Sequence, residues 1–238
     1  KYDLRGGADV DPNRISVACY VAERYRPRLM LVHLNELDHA EHESGPESAE
    51  AHAALERIDG YVGQLLDGYR KSGLLDKTIV AIVSDHGFLP TAKAFHVGAL
   101  FREKGLIQAG ADAAGPARDY DAAGWVAGGS CAIMLKKSDD AAMLARVREV
   151  LAPYAGKPDS PIRRILEPEE IAKLGSNTRA ALMLDAGEGF TFGSHISGPV
   201  VTSTTGKGHG PRGMHGQMPD RPNLEATSDG SRLVPSDL

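Results

Sequence analysis

The chain has 238 residues, 42% of them apolar and 25% charged, and a formal net charge of −5. That length suits one large domain, or one domain carrying an insertion, with enough apolar material to bury a core. No run of lysine and arginine marks a nucleic-acid-coating or membrane-surface role, and no apolar stretch approaches the ~18–20 residues of a membrane span.

The chain starts at Lys1 with neither methionine nor a signal segment, and residues 1–10 read as the interior of a longer protein. Pro12 to Arg26 has helical spacing, with Ile15, Val17, Ala18, Val21 and Ala22 apolar, Asp11 placed as the cap and Pro27 as the stop. The run from Leu29 to Leu34 is almost wholly apolar, the pattern of a strand buried on both faces. A polar loop is expected from Asn35 to Glu47. The clearest helix follows, with Ala51, Ala54, Leu55, Ile58, Val62, Leu65, Leu66 and Tyr69 along one face and Gly73 at its end. Thr78 to Val83 then reads as a second buried strand ending at Ser84-Asp85-His86-Gly87. Strand, helix, strand at this spacing predicts a βαβ unit with parallel strands.

Beyond residue 90 the pattern loosens. Short helices are predicted over Val97–Lys104, Ala141–Leu151 and Pro168–Leu174, the last because proline and acids fill its first turn. Strands are predicted at Cys131–Leu135 and Ala180–Leu184, and Gly187–Gly216 is expected to be mostly loop. Cys19 and Cys131 each lie in an apolar segment and read as buried reduced thiols, with one disulfide as the other reading. The whole is an α/β domain spanning 1–238, with 88–200 serving partly as a lid or insertion.

Ligands of an open parallel sheet bind just past the carboxyl ends of its strands. Each of the two predicted strands releases a metal-type cluster there, Asp38 with His42 after the first and adjacent Asp85 and His86 after the second. Carboxylate oxygen with imidazole nitrogen is a ligand set of zinc and its neighbours. Adjacent parallel strands lie only ~5 Å apart, so the two clusters suit metals ~4 Å apart, the separation of two-metal phosphoryl-transfer sites. Either cluster alone has a plainer reading, as a surface pair or a turn closing a strand. Their joint appearance favours metal binding.

Asp38 to Pro46 reads D-x-x-x-H-x-x-G-P, Ser84 to Gly87 reads S-D-H-G, and Gly213 to Pro219 reads G-x-H-G-x-x-P. In that order the three segments resemble the type I phosphodiesterase/nucleotide pyrophosphatase family of the alkaline phosphatase superfamily. The resemblance implies a three-layer α/β sandwich with a mostly parallel central sheet and a two-zinc site. Asp38, His42 and His215 would hold one zinc, and Asp85 and His86 the other. The family's further aspartate and its threonine or serine nucleophile come from a segment before the first motif, and nothing in this chain resembles that segment. The chain is therefore expected to be a C-terminal portion with its nucleophile elsewhere. The implied function is hydrolysis of phosphodiester or nucleotide pyrophosphate bonds in a small-molecule phosphate ester or nucleotide, in an extracytoplasmic location. The alternatives are another enzyme of the superfamily (a phosphomonoesterase, phosphonoacetate hydrolase, sulfatase or phosphoglycerate mutase) or a non-catalytic metal-binding fragment.

The remaining polar residues have plainer expectations. His33 sits inside a predicted strand and reads as a core residue; His39 would point away from the metal; His52 should be solvated; His96 and His195 should be loop or lid residues. His209 competes with His215 for the last ligand position, and the glycine and proline spacing favours His215. Thr91 and Thr202-Ser203-Thr204-Thr205 are read as hydroxyls satisfying local backbone groups. Tyr120, Trp125, Phe190 and Phe192 either stack on a base or pack a lid, with packing preferred.

Overall fold

The computed structural model describes residues 10–108, 119–205 and 210–218, so His209 lies outside the described residues. The chain divides into two compact units, Lys1–Phe88 and Leu89–Leu238.

In the first unit, α1 (Asp11–Tyr25), α2 (Glu36–Ser44) and α3 (Ala49–Lys71) are followed by a 3-10 turn at Leu75–Lys77. Helix α1 begins where expected, but Val10 is the N-cap residue and Asp11 lies in the first turn. Ser48 caps α3 through its side chain, which accepts a hydrogen bond from Ala51 N at 3.1 Å. Ile15, Ala18, Ala22, Ala51 and Ala54 are buried, and the small alanines let α1 and α3 approach closely. A Cβ on Gly68 would lie 2.9 Å from Cys19 Sγ, so that crossing is tight.

Two expectations fail in this unit. The loop predicted from Asn35 to Glu47 is largely helix α2, because Glu36 to Ser44 holds no β-branched residue, glycine or proline and is capped from α1. The runs Leu29–Leu34 and Thr78–Val83 form no strand ladder, so the predicted βαβ unit is not present among the described residues. Leu29, Leu31, Ile79, Ile82 and Val83 are largely exposed. Burial on both faces requires pairing partners and cover on either side, and the first unit's described residues supply helices but no strand. His33, expected in that buried strand, is exposed for the same reason; His39 and His52 are also exposed.

The second unit runs β1 (Leu89–Phe95), α4 (Val97–Glu103), β2 (Ile107–Gln108), β3 (Asp119–Tyr120), β4 (Ala122–Ala127), β5 (Ser130–Leu135) and α5 (Ala141–Leu151). After a 3-10 turn at Ala152–Tyr154 come β6 (Ile162–Leu166), α6 (Pro168–Lys173), β7 (Leu182–Ala186), β8 (Gly189–Phe192), β9 (Val201–Ser203) and β10 (Arg212–Met214). The predicted helices and the strands near 131 and 182 are present. The stretch 187–216, expected as loop, contributes three short strands instead. Each is only three or four residues long, too short for a periodicity to show.

Strand β1 organises one sheet. It pairs in parallel with β8, Phe95 opposite Phe192, and antiparallel with β10 along its first half and β9 along its second. A second sheet, ordered β4-β5-β7-β6, is antiparallel throughout. The only parallel ladder among the described residues is thus β1 with β8. The core gathers Phe95, Leu100, Phe101, Leu106, Ile133, Leu151, Leu182 and Leu184, all fully buried. Phe190 and Phe192 join it, as packing rather than stacking predicts, whereas Trp125 is exposed. Cys131 is a buried free thiol; Cys19 is also free and half-buried.

Candidate metal centre

Helix α2 presents the first cluster. Asp38 and His42 are four residues apart, so both project from one face of it. The helix does not cap itself: Asn35, its N-cap residue, makes no side-chain cap. Instead the buried carboxylate of Asp11 accepts hydrogen bonds from Asn35 N at 2.8 Å and Glu36 N at 2.9 Å. Arg14 closes this arrangement, donating to Asp11 Oδ1 at 2.7 Å and to Asn35 Oδ1 at 2.9 Å. Arg57 of α3 pairs with Glu36, tying the start of α2 to the long helix. An anion at a helix N-terminus satisfies orphan N–H groups and complements the helix dipole. The face carrying Asp38 and His42 is therefore held by a residue that no metal motif contains.

The second cluster meets the first within this unit. Asp38 Oδ1 lies 3.8 Å from His42 Nε2 and 3.8 Å from His86 Nε2, and His86 Nε2 lies 3.5 Å from Asp85 Oδ2. Ser84 Oγ donates to the carbonyl of His86 at 2.6 Å, closing the Ser84-Asp85-His86-Gly87 turn. Phe88 steadies both imidazoles edge-on, its ring centroid 4.8 Å from that of His42 and 5.5 Å from that of His86. Sequence reasoning passed over Phe88; only its position directly after S-D-H-G pointed to it.

These donors suit a divalent cation. They are oxygen and imidazole nitrogen, all at least partly open to solvent, and the separations of 3.8 Å exceed direct hydrogen-bond length. Tetrahedral zinc, with bonds of ~2.0–2.1 Å, holds its ligand atoms roughly 3.3 Å apart, close to this spacing. Burial, together with the negative charge of Asp38, raises the pKa of the neighbouring Glu41 carboxyl. The local field is thus that of crowded carboxylates, which a cation relieves.

His215 belongs to the second unit, directly after β10. Its carbonyl accepts a hydrogen bond from Gly129 N at 2.8 Å, and its neighbour Met218 donates from N to Asp185 Oδ1 at 3.2 Å. The other sequence candidates are accounted for by local structure. Thr91 is buried and its hydroxyl donates to Arg212 O at 3.3 Å; Thr204 Oγ1 donates to Thr91 O at 3.2 Å. His96 and His195, expected in loops, form a stacked pair with ring centroids 4.3 Å apart and planes within 5°. His96 is buried beside Thr202 Oγ1, 2.8 Å from its Nε2, and burial followed by the neighbouring His195 lowers its pKa.

The model of the family described as type I phosphodiesterase / nucleotide pyrophosphatase matches residues 7–218. Human ectonucleotide pyrophosphatase/phosphodiesterase family member 1 is 40% identical over 62 residues, covering 26% of this chain and 7% of its own length. Murine ectonucleotide pyrophosphatase / phosphodiesterase 5 is similar in fold, with a TM-score of 0.58 at 16% identity over 89% of this chain and 53% of its own. The same murine protein, inactivated and in complex with AMP, gives a TM-score of 0.56 at 17% identity, with coverage of 89% and 53%. Phosphonoacetate hydrolase from Sinorhizobium meliloti 1021, in complex with phosphonoacetate, gives 0.52 at 16% identity, covering 91% of this chain and 52% of its own. The chain thus spans about half the length of these solved structures. Its fold is alkaline phosphatase-like.

Proposed function

The chain belongs to the type I phosphodiesterase / nucleotide pyrophosphatase family, and from that premise we propose that it carries most of a two-zinc site for hydrolysing phosphodiester or nucleotide pyrophosphate bonds. The observation that carries the proposal is the convergence of two separate motifs on one oxygen, Asp38 Oδ1, at 3.8 Å from both His42 and His86. Asp38, His42 and His215 are assigned to one ion and Asp85 and His86 to the other, with His215 resting on its G-x-H-G-x-x-P motif. No residue of this chain is assigned as nucleophile.

When bound, two divalent cations neutralise phosphoryl charge, lower the pKa of the attacking oxygen and stabilise the leaving one. The chain's own residues hold and orient. Asp38 would offer a carboxylate oxygen from helix α2, His42 and His86 would offer Nε2, and Phe88 packs edge-on against both rings. Asp11 holds the N-terminus of α2, so the spacing between Asp38 and His42 is that of one helical turn rather than of a loop. The substrate class proposed is a nucleotide or related phosphate ester, supported by the AMP held by the murine relative, and the setting proposed is extracytoplasmic.

Metal analysis of the protein against Asp85→Ala and His86→Ala variants tests the site, and zinc content unchanged by both substitutions would sink it. Turnover by the full-length gene product of bis-p-nitrophenyl phosphate compared with p-nitrophenyl phosphate and phosphonoacetate tests the reaction. Preference for the diester is expected, and preference for either of the others refutes the diesterase assignment.

A further inference from the structure

The backbone on either side of His215 is locked to the turn between β4 and β5. Gly128 has φ +63° and faces His215: a Cβ there would overlap the His215 carbonyl oxygen. Gly216 has φ +86° and faces the turn in return, where a Cβ would overlap the carbonyl oxygen of Ala127. Two positions that no side chain tolerates thus abut each other, and Gly129 N donates to His215 O between them at 2.8 Å.

The turn itself is fixed to the core sheets. The Gly128 carbonyl accepts from Phe192 N at 2.9 Å and from Thr191 Oγ1 at 3.0 Å, while the Gly129 carbonyl accepts from Ala186 N at 2.9 Å. Downstream, Met218 is buried among Ala132, Leu166, Ile171, Ala180 and Met183, and its N–H is held by the buried Asp185 carboxylate. That carboxylate in turn pairs with Arg163. His215 is therefore the half-exposed member of a backbone segment anchored before, at and after itself.

We propose that the Gly128-Gly129 turn, fastened by Thr191, is a positioning device that sets the backbone of His215 so that its imidazole is presented as a metal ligand. The inference rests on the reading of His215 as a ligand. It also assigns a reason to the glycine following that histidine: Gly216 is there because Ala127 leaves no room for a side chain. A histidine on a loose loop would lose conformational entropy on binding metal, and one on a fixed backbone has already lost it.

The test is affinity for Zn²⁺ alone, by competition with a chromophoric chelator, together with the visible spectrum of the Co²⁺ form. Gly128→Ala is expected to weaken the His215-dependent ion by about 10-fold or more and to alter its Co²⁺ bands, the range typical when groups orienting a ligand are lost. Gly175→Ala is the control, since Gly175 has φ +65° with nothing within 4 Å, so it carries the same backbone strain without touching His215. It should bind as the parent does. Should Gly128→Ala fail to fold, Thr191→Val removes only the hydroxyl donor; about threefold weaker binding is expected, restored by Thr191→Ser. Unchanged binding in a folded Gly128→Ala protein, or in Thr191→Val, overturns the positioning role. Unchanged binding in His215→Ala instead overturns the ligand assignment beneath it, so the two failures are distinguishable.

Discussion

The carboxylate of Asp11, on the first turn of α1, accepts a hydrogen bond from the backbone N–H of Glu36, the first residue of α2, at 2.9 Å. This one contact makes a residue from the opening turn of one helix responsible for the N-terminus of another, 25 positions later. Asp11→Ala removes that acceptor and the one for Asn35 N, and leaves Arg14 without its carboxylate partner. A loss of about 2–3 kcal/mol in urea unfolding is expected, the sum of a lost cap and of buried donors left unpaired. Asp11→Asn keeps one acceptor oxygen and should lose roughly half as much. Equal stability of the parent and Asp11→Ala would show that α2 is held some other way.

Metal and stability are linked if Asp38 and His42 help to hold an ion, since a ligand bound only by the folded chain stabilises it. Zinc at about 100 times its dissociation constant should add roughly 2.7 kcal/mol, read as a rise in Tm that a chelator reverses. Asp38→Ala removes the oxygen common to both imidazole contacts and should abolish the rise while leaving the zinc-free Tm almost unchanged. A Tm indifferent to zinc and chelator in the parent would refute the link.

A pH effect of defined sign follows from His96. Its folded pKa lies below the ordinary histidine value of about 6.5, first through burial and then through the stacked His195. In the window between the lowered value and about 6.5, the unfolded chain binds a proton that the folded chain does not, so stability rises with pH there. His96 thus contributes stability fully present above about 6.5 and lost as pH falls through the lowered value. Urea midpoints measured between pH 5 and 8 should climb less steeply for His96→Gln than for the parent, and identical slopes would exclude His96 as the source.

The clustering of Asp38, His42, Asp85 and His86 was legible because few residue types suit a candidate metal site, and adjacency or helical spacing already fixes relative position. Helix α2 was not legible. Its polar sequence looks like a loop, and its cap comes from Asp11, far away in sequence, a relationship no local pattern encodes. Strand β1 escaped for a different reason, since Pro90 and Lys93 interrupt its apolar character although β8, β9 and β10 all pair with it. Conversely, Leu29–Leu34 and Thr78–Val83 have the composition of buried strands and form none, because composition reports what a segment would bury and not whether cover is present. The stacked His96 and His195 lie 99 positions apart, and only the folded chain brings them together.

Those two apolar runs carry the last expectation. Ile79 is 98% exposed, Val83 87% and Leu31 87%, and 78–83 holds six consecutive uncharged residues rich in β-branched side chains without proline. Such a segment, unpaired, has the signature of strand-to-strand association between copies. The isolated chain should therefore self-associate in a concentration-dependent way, visible by light scattering. Placing a charge in the run, as in Ile82→Lys, disfavours that stacking because each added copy would bring like charges within ~5 Å. Since Ile82 is 73% exposed, the same substitution should change folding stability by no more than about 0.5 kcal/mol. Scattering that falls while the urea midpoint holds would locate the association in this segment. Scattering unchanged by Ile82→Lys, and by the matching Leu31→Lys in the first run, would place it elsewhere.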